Sequence, residues 1–190
     1  MNMKKVFSVL MVAVALMMAA PAQAQLIKFG VKGGLNMTKL DAEGLKSDNS
    51  TGFFIGPMAE ITLPIVGLGV DGAVMFSQRN TGLKDEEGEL KMKQQGLEIP
   101  VNLKFSFGLG SMLGAYVAAG PDFFYNFKDL KVEGGEAKKA QVALNLGAGV
   151  KLLRKLQVGL NYQIPMGNSF EIENVDIKNK TWQVSLAYMF

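Results

Sequence analysis

The 190-residue chain contains neither cysteine nor histidine, which excludes a disulfide framework, a thiolate metal site and any histidine-based triad. Its formal charge is +3, and Lys4 and Lys5 supply two of those units, so the remainder is nearly neutral and implies no nucleic-acid partner. Hydrophobic residues make up 48% of the chain, yet beyond the N-terminal segment they form no long continuous run, which excludes a helical membrane protein.

The first segment has its own logic. Lys4 and Lys5 precede an apolar run from Val6 to Ala20, and Ala22-Gln23-Ala24 follows with small residues at the cleavage positions. This is the tripartite pattern of a secretory signal. The run is about 15 residues, short of the ~20 that span a bilayer. We therefore expect a signal peptide over 1–24, cut after Ala24, and one domain over 25–190.

From there the chain alternates. Ile27, Phe29, Val31, Leu35 and Met37 share one face, and Lys28, Gly30, Lys32, Gly34 and Asn36 the other. A polar loop over 38–50 follows. The second strand sets Phe53, Ile55, Ala59, Ile61 and Leu63 against Phe54, Gly56, Met58, Glu60 and Thr62. After a short turn at 64–67, the third sets Leu68, Val70, Val74 and Phe76 against Asp71, Ala73, Met75, Ser77 and Arg79. A charged loop covers 80–93, acidic in its middle (Asp85, Glu86, Glu87, Glu89) and basic at its flanks (Lys84, Lys91, Lys93).

The fourth strand places Leu97, Ile99, Val101, Leu103, Phe105 and Phe107 opposite Glu98, Asn102, Lys104 and Ser106, and a turn falls at 108–111. The fifth opposes Leu113, Ala115, Val117, Ala119 and Phe123 to Gly114, Tyr116, Ala118, Gly120 and Asp122. A third loop spans 126–138. In the sixth, Val142, Leu144, Leu146 and Val150 oppose Gln141, Asn145, Gly147, Gly149 and Lys151, before a turn at 152–155. In the seventh, Leu156, Val158, Leu160, Tyr162 and Ile164 oppose Gln157, Gly159, Asn161 and Gln163. The last loop is 167–179. The eighth strand carries Trp182, Val184, Leu186, Tyr188 and Phe190 on one face and ends on that phenylalanine.

Eight strands of about ten residues, with long and short connections in turn, predict an all-β, eight-stranded antiparallel up-and-down transmembrane β-barrel. An even count places both termini on the periplasmic side. The rival is a soluble lipocalin-like barrel, which would put bulky apolar residues inside and charges outside. The residues favour the membrane reading. Phe, Leu, Ile, Val, Trp182 and Tyr188 suit lipid, while Gly, Ala, Ser, Asn and scattered charges suit a narrow lumen.

Lys28, Lys32, Glu60, Asp71, Arg79, Glu98, Lys104 and Lys151 then point inward. Unpaired buried charge is costly, so ion pairs across the lumen are expected. The set reads better as a polar core that plugs the barrel than as an ion path, because eight strands leave little room. Pro57, Pro100, Pro121 and Pro165 fall inside strands, where bulges or bends are expected.

Several short stretches carry a family resemblance. They are Phe29-Gly30-Val31-Lys32-Gly33-Gly34-Leu35-Asn36, Leu97-Glu98-Ile99-Pro100, Ala119-Gly120-Pro121, Leu146-Gly147-Ala148-Gly149-Val150 and Tyr188-Met189-Phe190. In order and spacing, the segment after the signal resembles the small outer-membrane β-barrel proteins labelled porin-like or PorT-like. The resemblance implies residence in the outer membrane of a Gram-negative cell and insertion by the barrel-assembly machinery. It implies that the C-terminal strand (Trp182, Val184, Leu186, Tyr188, Phe190) is the recognition signal. Some relatives are linked to protein secretion, and no catalytic residues carry over.

The function expected is a non-enzymatic barrel with no cofactor and no resident metal. Its loops 38–50, 80–93, 126–138 and 167–179 would meet ligands or envelope and secretion-apparatus proteins, and its wall outer-membrane lipid. A narrow pore or small-ligand carrier is the alternative. An enzyme fits least, since no Ser-Lys or paired-carboxylate motif stands out. The acidic run in 80–93 could meet divalent cations or lipopolysaccharide, but without EF-hand spacing it reads first as a solvated charge run.

Overall fold

The computed structural model describes residues 27–41, 47–48, 50–63, 67–85, 88–108, 112–127, 131–132, 135–137, 139–153, 155–166, 170–172 and 175–190. The signal segment 1–24 and its junction with the domain lie outside the described residues. So do residues 64–66, 86–87 and 109–111, on which part of the turn and loop expectations fall.

Among the described residues there are thirteen strands. They are β1 (Ile27–Asp41), β2 (Ser47–Asp48), β3 (Ser50–Thr62), β4 (Leu68–Ala73), β5 (Met75–Asp85), β6 (Gly88–Gly108), β7 (Leu113–Asn126), β8 (Lys131–Val132), β9 (Gly135–Ala137), β10 (Ala140–Leu152), β11 (Leu156–Pro165), β12 (Phe170–Ile172) and β13 (Val175–Met189). Eight spans build the wall: β1, β3, the joined β4 and β5, β6, β7, β10, β11 and β13. Each pairs antiparallel with its chain neighbours, and β1 closes the ring by pairing with both β3 and β13. Lys32, for example, lies opposite Gly56 on one side and Ala187 on the other. A closed ring leaves no unpaired edge in hydrocarbon.

The bulky face points out. Leu103 is 61% exposed and Trp182 43%, while Glu98 is fully buried and Asn161 nearly so. That orientation rules out the soluble lipocalin-like alternative. Aromatic pairs mark both rims of the apolar wall. Phe53 packs on Phe76 and Phe76 on Phe127, with Tyr162 against Trp182, toward the loops. Phe105 with Phe107, and Tyr188 with Phe190, lie toward the short turns. From Trp182 to Phe190 the strand rises ~27 Å at ~3.4 Å per residue. A tilt of ~40° reduces this to about 21 Å, close to the apolar band of an outer-membrane barrel.

Two expectations need correction. The loop expected over 80–93 is largely a continuation of the wall: β5 and β6 stay paired from Asn80 opposite Lys93 to Asp85 opposite Gly88. Likewise β1 and β13 stay paired to Asp41 and Lys178. β2 pairs with β5, while β8, β9, β12 and the start of β13 form a small second sheet from the third and fourth loops. Beyond the membrane both faces of a strand meet water, so a strand there needs no apolar alternation and looks like loop in sequence.

The second correction concerns the prolines. The register runs through Pro57, Pro100 and Pro121 with no inserted residue, and Pro165 is the last residue of β11. Of the bulges or bends expected, the bulges are absent. Opposite Pro57 the wall strand divides at Val74, whose N–H still donates to the Pro57 carbonyl at 3.0 Å.

Both described ends of the chain lie at the end of the barrel that carries the short turns. Ile27 faces Ile61 beside the first turn, and the Phe190 N–H donates to the Phe29 carbonyl at 2.9 Å.

Candidate functional site

Every inward side chain is set by strand phase, so the lumen is the one place where all eight wall spans meet. Its polar residues form two clusters. Nearer the short turns, Lys104 from β6 holds Glu60 of β3 and Asp71 of β4, both at 2.8 Å. Lys151 from β10 reaches the other Glu60 oxygen at 2.5 Å. Gln157 of β11 completes the knot, donating to Glu60 at 3.0 Å and accepting from Lys104 at 2.9 Å. The Tyr116 ring lies 4.2 Å from the Lys104 ammonium, a cation–π contact inside the barrel.

An amide relay leaves this cluster. Asn161 donates to Asn145 (3.1 Å), Asn145 to Asn102 (2.8 Å) and Asn102 to Asp71 (2.7 Å), linking β11, β10, β6 and β4. Nearer the loops, Arg79 of β5 faces Glu98 of β6 at 3.2 Å and Asp122 of β7 at 3.5 Å, over the Phe124 ring. Gln163 donates to both carboxylates, and Gln183 donates to Glu98 at 2.6 Å and to Asn36 at 2.9 Å. Asn36 in turn donates to Ser77 at 2.9 Å, and Thr38 meets Thr181 at 3.2 Å.

The glycines of the inner face make room for three inward aromatics. A Cβ at Gly34 would lie 2.6 Å from the Phe54 ring, one at Gly96 2.8 Å from Phe124, and one at Gly149 2.5 Å from the Tyr116 hydroxyl. The lean face is therefore filled, with rings packed where side chains are missing.

Of the eight ionisable residues read as inward, Glu60, Asp71, Arg79, Glu98 and Lys104 are buried, and Lys151 is partly buried on Glu60. Lys32 is half-buried beside Asp71, Asn102 and Lys104. Lys28 is exposed at the turn end, on the rim of a void there. That set omits Asp122, which alternation already places opposite Phe123 on the lean face. It also omits the neutral partners: Asn36, Asn102, Asn145, Gln157, Asn161, Gln163 and Gln183 are all buried. The C-terminal residues Trp182, Val184, Leu186, Tyr188 and Phe190 are all exposed on the outer wall. Of the acidic run in the second loop, Asp85 and Glu89 fall on the β5–β6 hairpin, while Glu86 and Glu87 lie outside the described residues. Among the described residues no group of three or more Asp or Glu gathers as a metal site.

The model of the outer membrane protein beta-barrel domain matches residues 9–190. Among solved structures, Neisserial surface protein A aligns with a TM-score of 0.51 at 13% identity, covering 85% of this chain and 97% of its own. The attachment invasion locus protein Ail of Yersinia pestis aligns with a TM-score of 0.49 at 17% identity (86% and 99% covered). OprG from Pseudomonas aeruginosa aligns at 0.48 and 14% (86% and 95% covered). At these identities the likeness concerns the fold alone. No curated protein matches the chain.

Proposed function

The chain belongs to the outer membrane protein beta-barrel domain family, and from that premise we propose that it is a closed, non-enzymatic barrel that holds its loops as a rigid platform for envelope contacts. The observation that carries this reading is the filled lumen. The void at the turn end, about 190 Å³, stops at Glu60, Lys151 and Gln157. The next void inward, around Lys32, holds about 10 Å³, room for roughly one water. Beyond it lies the Arg79, Glu98 and Asp122 cluster. The absence of histidine also supports a non-enzymatic role.

Planar-bilayer recording tests the closed barrel. We expect no stable openings from the folded protein, and reproducible conductance steps would replace this reading with the narrow pore. The loops follow from the same scaffold, since binding residues favour loops held by a rigid frame. The partners in view are envelope or secretion-apparatus proteins meeting 38–50, 80–93, 126–138 and 167–179, with both termini in the periplasm. Affinity capture from outer membranes with each segment shortened in turn checks this. A partner lost with one segment and kept with the others is expected; identical capture by all four versions would remove the loops from the account. The exposed apolar face of the last strand suits recognition by the barrel-assembly machinery during insertion.

A further inference from the structure

The turn-end void has an excess of positive charge that the rest of the lumen does not share. Glu60 is already held by Lys104 and by Lys151, and Asp71 by Lys104. Lys28 lies directly opposite Glu60 in the β1–β3 register. Yet among the described residues no carboxylate lies within ion-pair distance of Lys28. It lines the same void as Lys151 and is close enough to repel it. On the same wall the Ser106 hydroxyl is buried with no hydrogen-bond partner. The Gln157 amide donates to Glu60 and accepts from Lys104.

Lys28 and Lys151 thus line one space in which, among the described residues, Lys28 has no carboxylate partner and Lys151 has only Glu60, and the Ser106 hydroxyl in its wall has no partner either. Glu60, Gln157, Phe107, Gly108, Met112, Leu113 and Gly114 complete the lining. The missing component is an acceptor-rich anion. We propose that this vestibule binds a small oxyanion of the phosphate class, held by Lys28 and Lys151 with Ser106 donating. Charge-assisted hydrogen bonds from two cations favour an anion with several oxygens over a monovalent halide. The inference stands apart from the loops, so its failure leaves the platform reading untouched.

The test uses the folded barrel in alkyl maltoside micelles, a detergent without phosphate, with each variant's fold checked by heat-modifiable gel mobility. One arm titrates inorganic phosphate calorimetrically at constant ionic strength. The other compares micelles doped with phosphatidic acid against phosphatidylcholine, so that a lipid headgroup and a free ion are told apart. Saturable one-to-one binding in either arm is expected. Lys28→Gln, at an exposed position, should weaken it about tenfold and Ser106→Ala about threefold. Lys139→Gln, near the loops, should leave it unchanged. Absence of saturable binding in both arms overturns the site. So does binding that survives Lys28→Gln, or that chloride displaces as well as phosphate does.

Discussion

The two halves of the lumen bury charge by different means. On the short-turn side two ammoniums, Lys104 and Lys151, hold two carboxylates, Glu60 and Asp71. On the loop side one guanidinium, Arg79, faces two carboxylates, Glu98 and Asp122. The shortfall there is met by amides: Gln163 donates to both carboxylates and Gln183 to Glu98. Fixed dipoles thus stand in for a second cation, and Lys32, between the halves, feels the carboxylates of both. Charge balance in this barrel is a property of the whole interior.

That contrast predicts where a lost cation hurts most. Arg79→Met leaves Glu98 and Asp122 side by side with only neutral donors. Breaking a buried pair in this way costs about 3–5 kcal/mol. Reversible guanidinium unfolding in lipid vesicles should register that loss, and Glu98→Gln in the same chain should recover most of it by removing one of the two charges. If Arg79→Met shifts stability by less than about 1 kcal/mol, the loop half does not depend on its single cation.

Lys104→Met should cost less, about 2 kcal/mol. Glu60 keeps Lys151 and Gln157, and Asp71 keeps Asn102 at 2.7 Å. The same unfolding assay ranks the two variants. A Lys104→Met loss equal to or larger than that of Arg79→Met would reverse the comparison and make the short-turn cluster the main anchor.

The side of the wall each residue takes was legible because hydrocarbon and a filled lumen impose opposite demands on alternate positions. Trp182 and Gln183, or Leu103 and Lys104, could be separated by phase alone. Partners were not legible. Glu60 and Lys104 meet across the lumen from 44 positions apart, and which strands face each other depends on the barrel's stagger, which no local pattern carries. Asn102 and Asn145 were missed as structural groups for a related reason. A neutral amide on a lean face looks the same whether it meets water or another amide. Above the membrane the signal fades altogether, so the extension of β5 and β6 past Asn80 and Lys93 read as loop. The prolines misled in the other direction. A bulge or a bend was expected at Pro57; the register takes no extra residue there, and the facing strand breaks at Val74.

The smallest effect concerns the bridge between charged and neutral parts of the interior. In the relay from Asn161 through Asn145 and Asn102 to Asp71, each amide donates to the next, and the last acceptor is a carboxylate. Asn145→Leu keeps the branched shape but strands the Asn102 oxygen and the Asn161 amide hydrogens, costing about 1–2 kcal/mol for neutral groups. Adding Asn161→Leu removes one of those stranded groups. The double variant should therefore lose little beyond the first change, giving a coupling of about 1 kcal/mol in a double-mutant cycle. The relay ends on the carboxylate that Lys104 also holds, so the same cycle run in the Lys104→Met background measures how far the neutral chain supports Asp71 alone. Costs that simply add in both backgrounds would mean that the asparagines fill space without acting as a unit, and that the short-turn half rests on its ion pairs only.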